Sequence, residues 1–104
     1  MATESEWQAA QDEAAAAHVP VVVQFTGAFC QPCKRIAPVF DALAATHSGI
    51  FLRVDVMALQ DLAVEQGVGP IPAFHWYRGG KLVDSMVGAD EAGLRAKMAK
   101  WCGV

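Results

Sequence analysis

Apolar positions along the chain come in short blocks that switch between helical and extended spacing. Trp7, Ala10, Ala14 and Ala17 recur on one helical face, and Ser5 with Gln8 has the spacing of a capping box. A helix is therefore predicted over about 5–17. His18, Val19 and Pro20 end it, since the residue before a proline is pushed to extended backbone. Val21-Val22-Val23-Gln24-Phe25 is β-branched and almost continuously apolar, the character of a strand covered on both faces. From Gln31 to His47 the period is again helical, with Ile36, Val39, Phe40 and Leu43 on one stripe. Pro38 is expected to kink this helix and Ser48-Gly49 to stop it. Ile50 to Val56 reads as a second strand. A short helix carrying Leu59, Leu62 and Ala63 follows, with Gly67 as a left-handed cap. Pro72 opens the strand Ala73-Phe74-His75-Trp76-Tyr77, Gly79-Gly80 is a two-residue hairpin signal, and Lys81 to Val87 returns antiparallel. Asp90 can cap a last helix whose Leu94, Met98 and Trp101 face the core. The order is α-β-α-β-α-β-β-α, an α/β fold ending in a hairpin and a helix.

Composition narrows the function classes. The 104 residues form a single domain, 1–104, with 54% hydrophobic residues in short, punctuated runs. No run reaches the ~18–20 apolar residues of a membrane span, so no membrane is expected as a partner. The net charge is −3 with no basic run, which argues against nucleic acid. The acidic start Met1-Ala2-Thr3-Glu4-Ser5-Glu6 has no apolar signal region, so a cytoplasmic location is expected, or an organelle if a presequence was removed. Three cysteines are too few for a disulfide scaffold. With no secretory signal, the close pair Cys30-Gln31-Pro32-Cys33 reads as redox or metal chemistry.

Redox cysteines react as thiolates. Cys30 ends the loop after a buried strand and falls at the N-cap of the next helix, where unpaired amides and the helix dipole favour negative charge. Cys33 lies three positions on, in the first turn, so a disulfide can close and open with little backbone movement. Pro32 is tolerated there because first-turn amides lack helical acceptors. Lys34 and Arg35 add positive charge nearby. Cys30 is thus the expected nucleophile and Cys33 the resolving thiol. The rival, a zinc site, needs about four ligands, and beyond the pair only Cys102 and three scattered histidines remain, so no metal is expected.

Val21 to Thr26, Phe29-Cys30-Gln31-Pro32-Cys33-Lys34, Ile36-Ala37-Pro38, Phe51 to Val56, Ile71-Pro72 and Val87-Gly88-Ala89, in that order, resemble the thioredoxin family pattern from about Trp7 onward. The resemblance implies a mixed central sheet of four to five strands flanked by four helices. It also implies a cis Ile71–Pro72 bond facing the sulfurs. The backbone of Ile71 would pair with an extended substrate, beside a rim of Phe29, Pro32, Gly88 and Ala89. Without it, Pro72 reads as an ordinary strand-start proline and Gly88 as a plain turn. It further implies a monomeric protein-disulfide reductase with no bound cofactor, acting on disulfide-containing proteins. A flavoprotein thioredoxin reductase would recharge it with electrons from NADPH.

Three positions depart from the family. Phe29 stands where it has Trp, Gln31 where it has Gly between the cysteines, and Gln24 where it has a buried Asp beneath the resolving cysteine. Gln carries no proton at neutral pH, so Gln24 is expected to slow release of the mixed disulfide while leaving the Cys30 thiolate no less favoured. Arg53 would push further toward thiolate if its head group turned inward. The plain alternative for Gln24 is a hydrogen-bonded core amide. These departures keep two rivals open: a specialised dithiol protein with altered substrates, poise or donor, and a docking module that uses its thiols little or holds an iron–sulfur cluster. Cys102 reads as a semi-buried apolar residue, with an intermolecular disulfide as the alternative. His75, Trp76 and Tyr77 read as strand core and flank, and His18 and His47 as helix-end histidines. Little chain precedes the first helix, so a first edge strand is expected to be short or missing.

Overall fold

Val21–Thr26 form strand β1, every residue of which is buried, as its apolar run predicts. In the computed structural model, which describes residues 2–103, the elements are α1 (Glu4–Ala17), β1, α2 (Gln31–Thr46), β2 (Ile50–Asp55), α3 (Gln60–Glu65), β3 (Ala73–Arg78), β4 (Lys81–Val87) and α4 (Glu91–Trp101). β1 pairs in parallel with β2 and antiparallel with β3, which pairs antiparallel with β4, so the sheet order is β2-β1-β3-β4. The sheet has four strands among the described residues. Ahead of α1, the Ala2 N–H donates to the Arg53 carbonyl on β2 at 3.0 Å.

Alternation along β1 feeds two cores. Val21, Val23 and Phe25 pack with Trp7 of α1, Leu62 of α3 and Val54 of β2. Val22 faces the other way, into a core with Ile36, Phe40 and Leu43 of α2 and Leu94 and Met98 of α4. Gln24 takes the same side as Val22, beneath α2. At the hairpin, Gly79 and Gly80 have φ of +58° and +79°, the left-handed pair that a two-residue turn requires.

Two expectations are corrected. The N-cap of α1 is Thr3, not Ser5: Thr3 Oγ1 accepts the Glu6 N–H at 3.2 Å, and Glu6 Oε1 accepts the Thr3 N–H at 3.1 Å. The charged Glu6 makes a stronger reciprocal bond than Gln8 could, and with Glu4 it suits the positive end of the helix. Trp101 does not turn wholly into the core. It is half-buried, and its Nε1–H donates to Asp84 Oδ2 at 2.9 Å, while Lys97 Nζ donates to Asp84 Oδ1 at 2.7 Å. One β4 carboxylate thus ties α4 to the sheet.

His75 and Tyr77 are core residues of β3, as expected. His75 Nδ1 lies 2.9 Å from the Tyr77 hydroxyl, which donates to Gln66 Oε1 at 2.8 Å. The hydroxyl oxygen is therefore left to accept, which places a proton on Nδ1. Burial holds the His75 pKa below its ordinary 6.5. A lowered folded-state value favours the neutral ring, so the unfolded chain binds the proton first as pH falls. Stability from this site is full above about pH 6.5 and is lost as pH drops from there through the folded value. Melting curves between pH 7.5 and 5.5 should show a falling Tm that is flatter in His75→Gln. An equally steep fall in that variant would remove His75 as the cause.

Candidate active site

The loop leaving β1 delivers Cys30 to the N-cap of α2 with extended backbone, φ −93° and ψ 102°. Its Sγ accepts the Cys33 N–H at 3.2 Å, so one of the orphan amides of the helix start is aimed at sulfur. Cys30 and Cys33 are joined as a disulfide with their Cα atoms 5.2 Å apart. Cys30 is half-buried, whereas Cys33 is 1% exposed. Gln31 and Pro32 lie exposed in the first turn, followed by exposed Lys34 and Arg35, neither ion-paired among the described residues.

An apolar cavity of about 500 Å³ opens beside the pair, lined by Gly27, Ala28, Phe29, Cys30, Val56, Met57 and Ile71. Phe29 is 97% exposed and Met57 70% exposed, so both stand as walls rather than as core. Asp55 positions Met57: its Oδ1 accepts the Met57 N–H at 2.8 Å and the Ala58 N–H at 3.2 Å, turning the chain outward at the end of β2. Gly27 makes room for Ile71, since a Cβ there would sit 2.8 Å from Ile71 Cδ1.

The Ile71–Pro72 bond is cis and Pro72 is buried. The Pro72 carbonyl accepts the Gly88 N–H at 2.8 Å, so Gly88, with φ of +103°, is brought beside Pro72. Among the described residues the Ile71 N–H and carbonyl have no backbone partner. Phe29, Cys30 and Ile71 therefore share one cavity. Gln31, Pro32, Gly88 and Ala89 do not line it, and Ala89 packs half-buried against the α2–α4 core. Val56 and Met57 were not anticipated as site residues. The available signal was a large apolar residue, Met57, just past a strand end and ahead of a short helix.

Gln24 has no exposed surface and sits opposite Arg53 in the β1–β2 register. Its Nε2–H donates to the Cys33 carbonyl at 3.3 Å, and its Oε1 accepts from Arg53 Nε at 3.0 Å. Arg53 does turn inward. Its Nη2 also donates to Asp41 Oδ1 at 2.6 Å and reaches the Ala37 carbonyl at 3.5 Å, and the guanidinium lies 5.8 Å from the Phe40 ring centre. Pro38 lacks an N–H, so the Lys34 carbonyl loses its usual helical donor one turn past the disulfide.

The remaining candidates lie elsewhere. Cys102 is a free thiol with no exposed surface, more deeply buried than expected, and burial pushes its pKa to about 11 against a smaller opposing effect of Arg78. His18 is the left-handed cap of α1, and His47 Nδ1 lies 2.9 Å from the Leu43 carbonyl in the last turn of α2. Among the described residues no three His, Cys, Asp or Glu side chains are grouped to hold a metal ion, and no helix is long and apolar enough to cross a membrane.

Comparison with known proteins agrees with this geometry. The thioredoxin family model matches residues 2–100. Thioredoxin H4 of Arabidopsis thaliana is 40% identical over 104 residues, covering 98% of this chain and 87% of that protein. An H-type thioredoxin of Chlamydomonas reinhardtii is 42% identical over 96 residues, covering 90% and 85%. The crystal structure of a poplar thioredoxin h superposes with a TM-score of 0.90 at 32% identity, covering 94% of this chain and 89% of that one. A Nicotiana alata thioredoxin superposes at 0.89 with 33% identity, covering 96% and 88%. With a closed Cys30–Cys33 pair at the head of α2 and a matching pattern over nearly its whole length, this chain belongs to the thioredoxin family and is a thiol–disulfide oxidoreductase.

Proposed function

We infer that the chain reduces disulfides in other proteins, with Cys30 as nucleophile and Cys33 as resolving thiol. The observation that carries this is the contrast between a half-buried Cys30, facing an open apolar cavity, and a buried Cys33 behind it. In the dithiol form, the Cys30 thiolate attacks one sulfur of a substrate disulfide. A mixed disulfide forms, and the second substrate sulfur leaves as a thiolate that takes a proton from solvent. Cys33 sulfur then attacks Cys30 Sγ, closing the internal disulfide. The Cys33 proton passes to the departing substrate thiolate, which leaves as a thiol. Gln24 donates one of its two amide N–H groups to the Cys33 carbonyl, and the amide neither gains nor loses a proton at neutral pH, so it takes no part in that transfer.

Recharging needs two electrons and two protons for each disulfide. A flavoprotein thioredoxin reductase drawing on NADPH is the donor class that the family suggests. A close CxxC pair in a cysteine-poor chain suits a reducing, cytoplasmic setting, and with Cys102 inside the core a monomer is the natural form. Gln24, in place of the family's carboxylate, favours one second reading: a specialised member fed by glutathione or another dithiol. The test is insulin reduction with NADPH and a thioredoxin reductase, against the same assay with glutathione. NADPH consumption that requires both the reductase and Cys30 supports the first reading; turnover with glutathione alone supports the second.

The unpaired Ile71 backbone suits main-chain pairing with an extended substrate, whose apolar side chain next to its cysteine would enter the cavity between Phe29 and Met57. Met57→Asp places a charge at that wall. It should raise KM about tenfold for a disulfide peptide flanked by leucine, with kcat little changed, since one lost apolar contact is worth roughly 1–3 kcal/mol. Equal KM values for wild type and variant would remove Met57 from substrate contact.

A further inference from the structure

The thiol chemistry inferred above leaves one arrangement unused, which runs from the surface to a buried amide beneath the disulfide. Arg53 brings a permanent positive charge onto Gln24, Gln24 passes a hydrogen bond to the Cys33 carbonyl, and Asp41 holds the guanidinium from outside. The distances are 3.0, 3.3 and 2.6 Å, and the three residues come from β2, β1 and α2. The arginine side chain is 28% exposed and the aspartate 60% exposed, so the positive end of the ion pair is the inward one. The buried link itself, Gln24, carries no titratable group.

We propose that the Arg53–Asp41 ion pair, coupled through Gln24 to Cys33, is a fixed dipole that sets the redox poise of the Cys30–Cys33 couple. Its inward positive end stabilises the reduced form once a thiol has ionised, and so makes the couple more oxidising. The dipole has nothing to act on while both sulfurs carry protons. Its influence therefore appears above the range in which the nucleophilic thiol ionises and vanishes below it. Arg53, Gln24 and Asp41 are positioning residues here, since none supplies a reacting atom. The inference rests on the proposed thiol exchange at Cys30 and Cys33.

The experiment equilibrates the full chain with dithiothreitol and its cyclic disulfide. One disulfide is exchanged for another, two electrons and two protons moving from the reference dithiol to the protein, and the dithiol fraction is read by alkylation and intact mass. At pH 8, Arg53→Met should shift the equilibrium constant about threefold toward the disulfide, and Asp41→Asn about threefold toward the dithiol, each ~14 mV at 29.6 mV per decade. Arg53→Lys should retain most of the wild-type value. At pH 5 all variants should converge. A merely structural role would move both charge variants in one direction, because each loosens the same contact. Shifts of like sign, shifts that persist at pH 5, or no shift in the exposed Asp41→Asn variant would each overturn the dipole. Failure of the wild-type chain to exchange with dithiothreitol at all would instead overturn the thiol chemistry beneath it.

Discussion

Cys33→Ser is expected to lose disulfide turnover by about 10³-fold while accumulating a covalent adduct between Cys30 and its substrate, because removing one member of a catalytic unit disables the whole. The attacking sulfur remains at the N-terminus of α2, so the first displacement proceeds. The second does not, since a hydroxyl at position 33 cannot take the place of the second sulfur. Serine nearly matches the volume of the 1%-exposed Cys33 side chain, so the fold is retained and the defect lies in the chemistry. Intact-mass measurement after mixing with insulin reads the adduct directly, and its collapse on adding dithiothreitol identifies the bond. Cys30→Ser should be equally inactive and form no such adduct. Adduct formation by Cys30→Ser instead would reverse the assignment of the two thiols.

The second large effect is on stability. Phe74 has no exposed surface, sits 5.8 Å from Phe40 and 6.5 Å from Trp76, and joins β3 to α4 and to α2, the helix that carries the disulfide. Phe74→Ala removes the ring and leaves a cavity, a loss of about 3–5 kcal/mol. For a domain of this size each 1 kcal/mol is about 4–8 °C, so Tm should fall by at least about 12 °C. Leu82→Ala, at a β4 residue that is 48% exposed, should change stability by no more than about 0.5 kcal/mol. Matching losses in the two variants would mean that the core beneath α2 does not carry the fold in this way.

Much of this architecture could be read from local spacing. The unbroken apolar run of β1, the glycine pair of the hairpin and the cysteine spacing at a helix start each state their structure within a few residues. The order of the motifs carried more than any one of them, since a CxxC pair alone also suits a metal. Local spacing does not decide the structure where two local signals compete or where the partner is distant in sequence. Thr3 and Ser5 both offer caps, and the charge on Glu6 decides between them. Trp101 finds Asp84 across 17 positions of chain, and Arg53 finds Asp41 across 12, contacts that no periodicity reports. Met57 joins the site because a loop carries it there from the end of β2, a placement set by the fold.

Cys102 gives the molecule a built-in gauge of its own breathing. With the other two cysteines joined to each other, it is the one free thiol, and it has no surface for a reagent to meet. In the oxidised protein, then, every alkylation event marks an excursion in which the end of α4 lifts from the sheet, and the labelling rate, divided by that of an unstructured thiol, reads the fraction of molecules open at any moment.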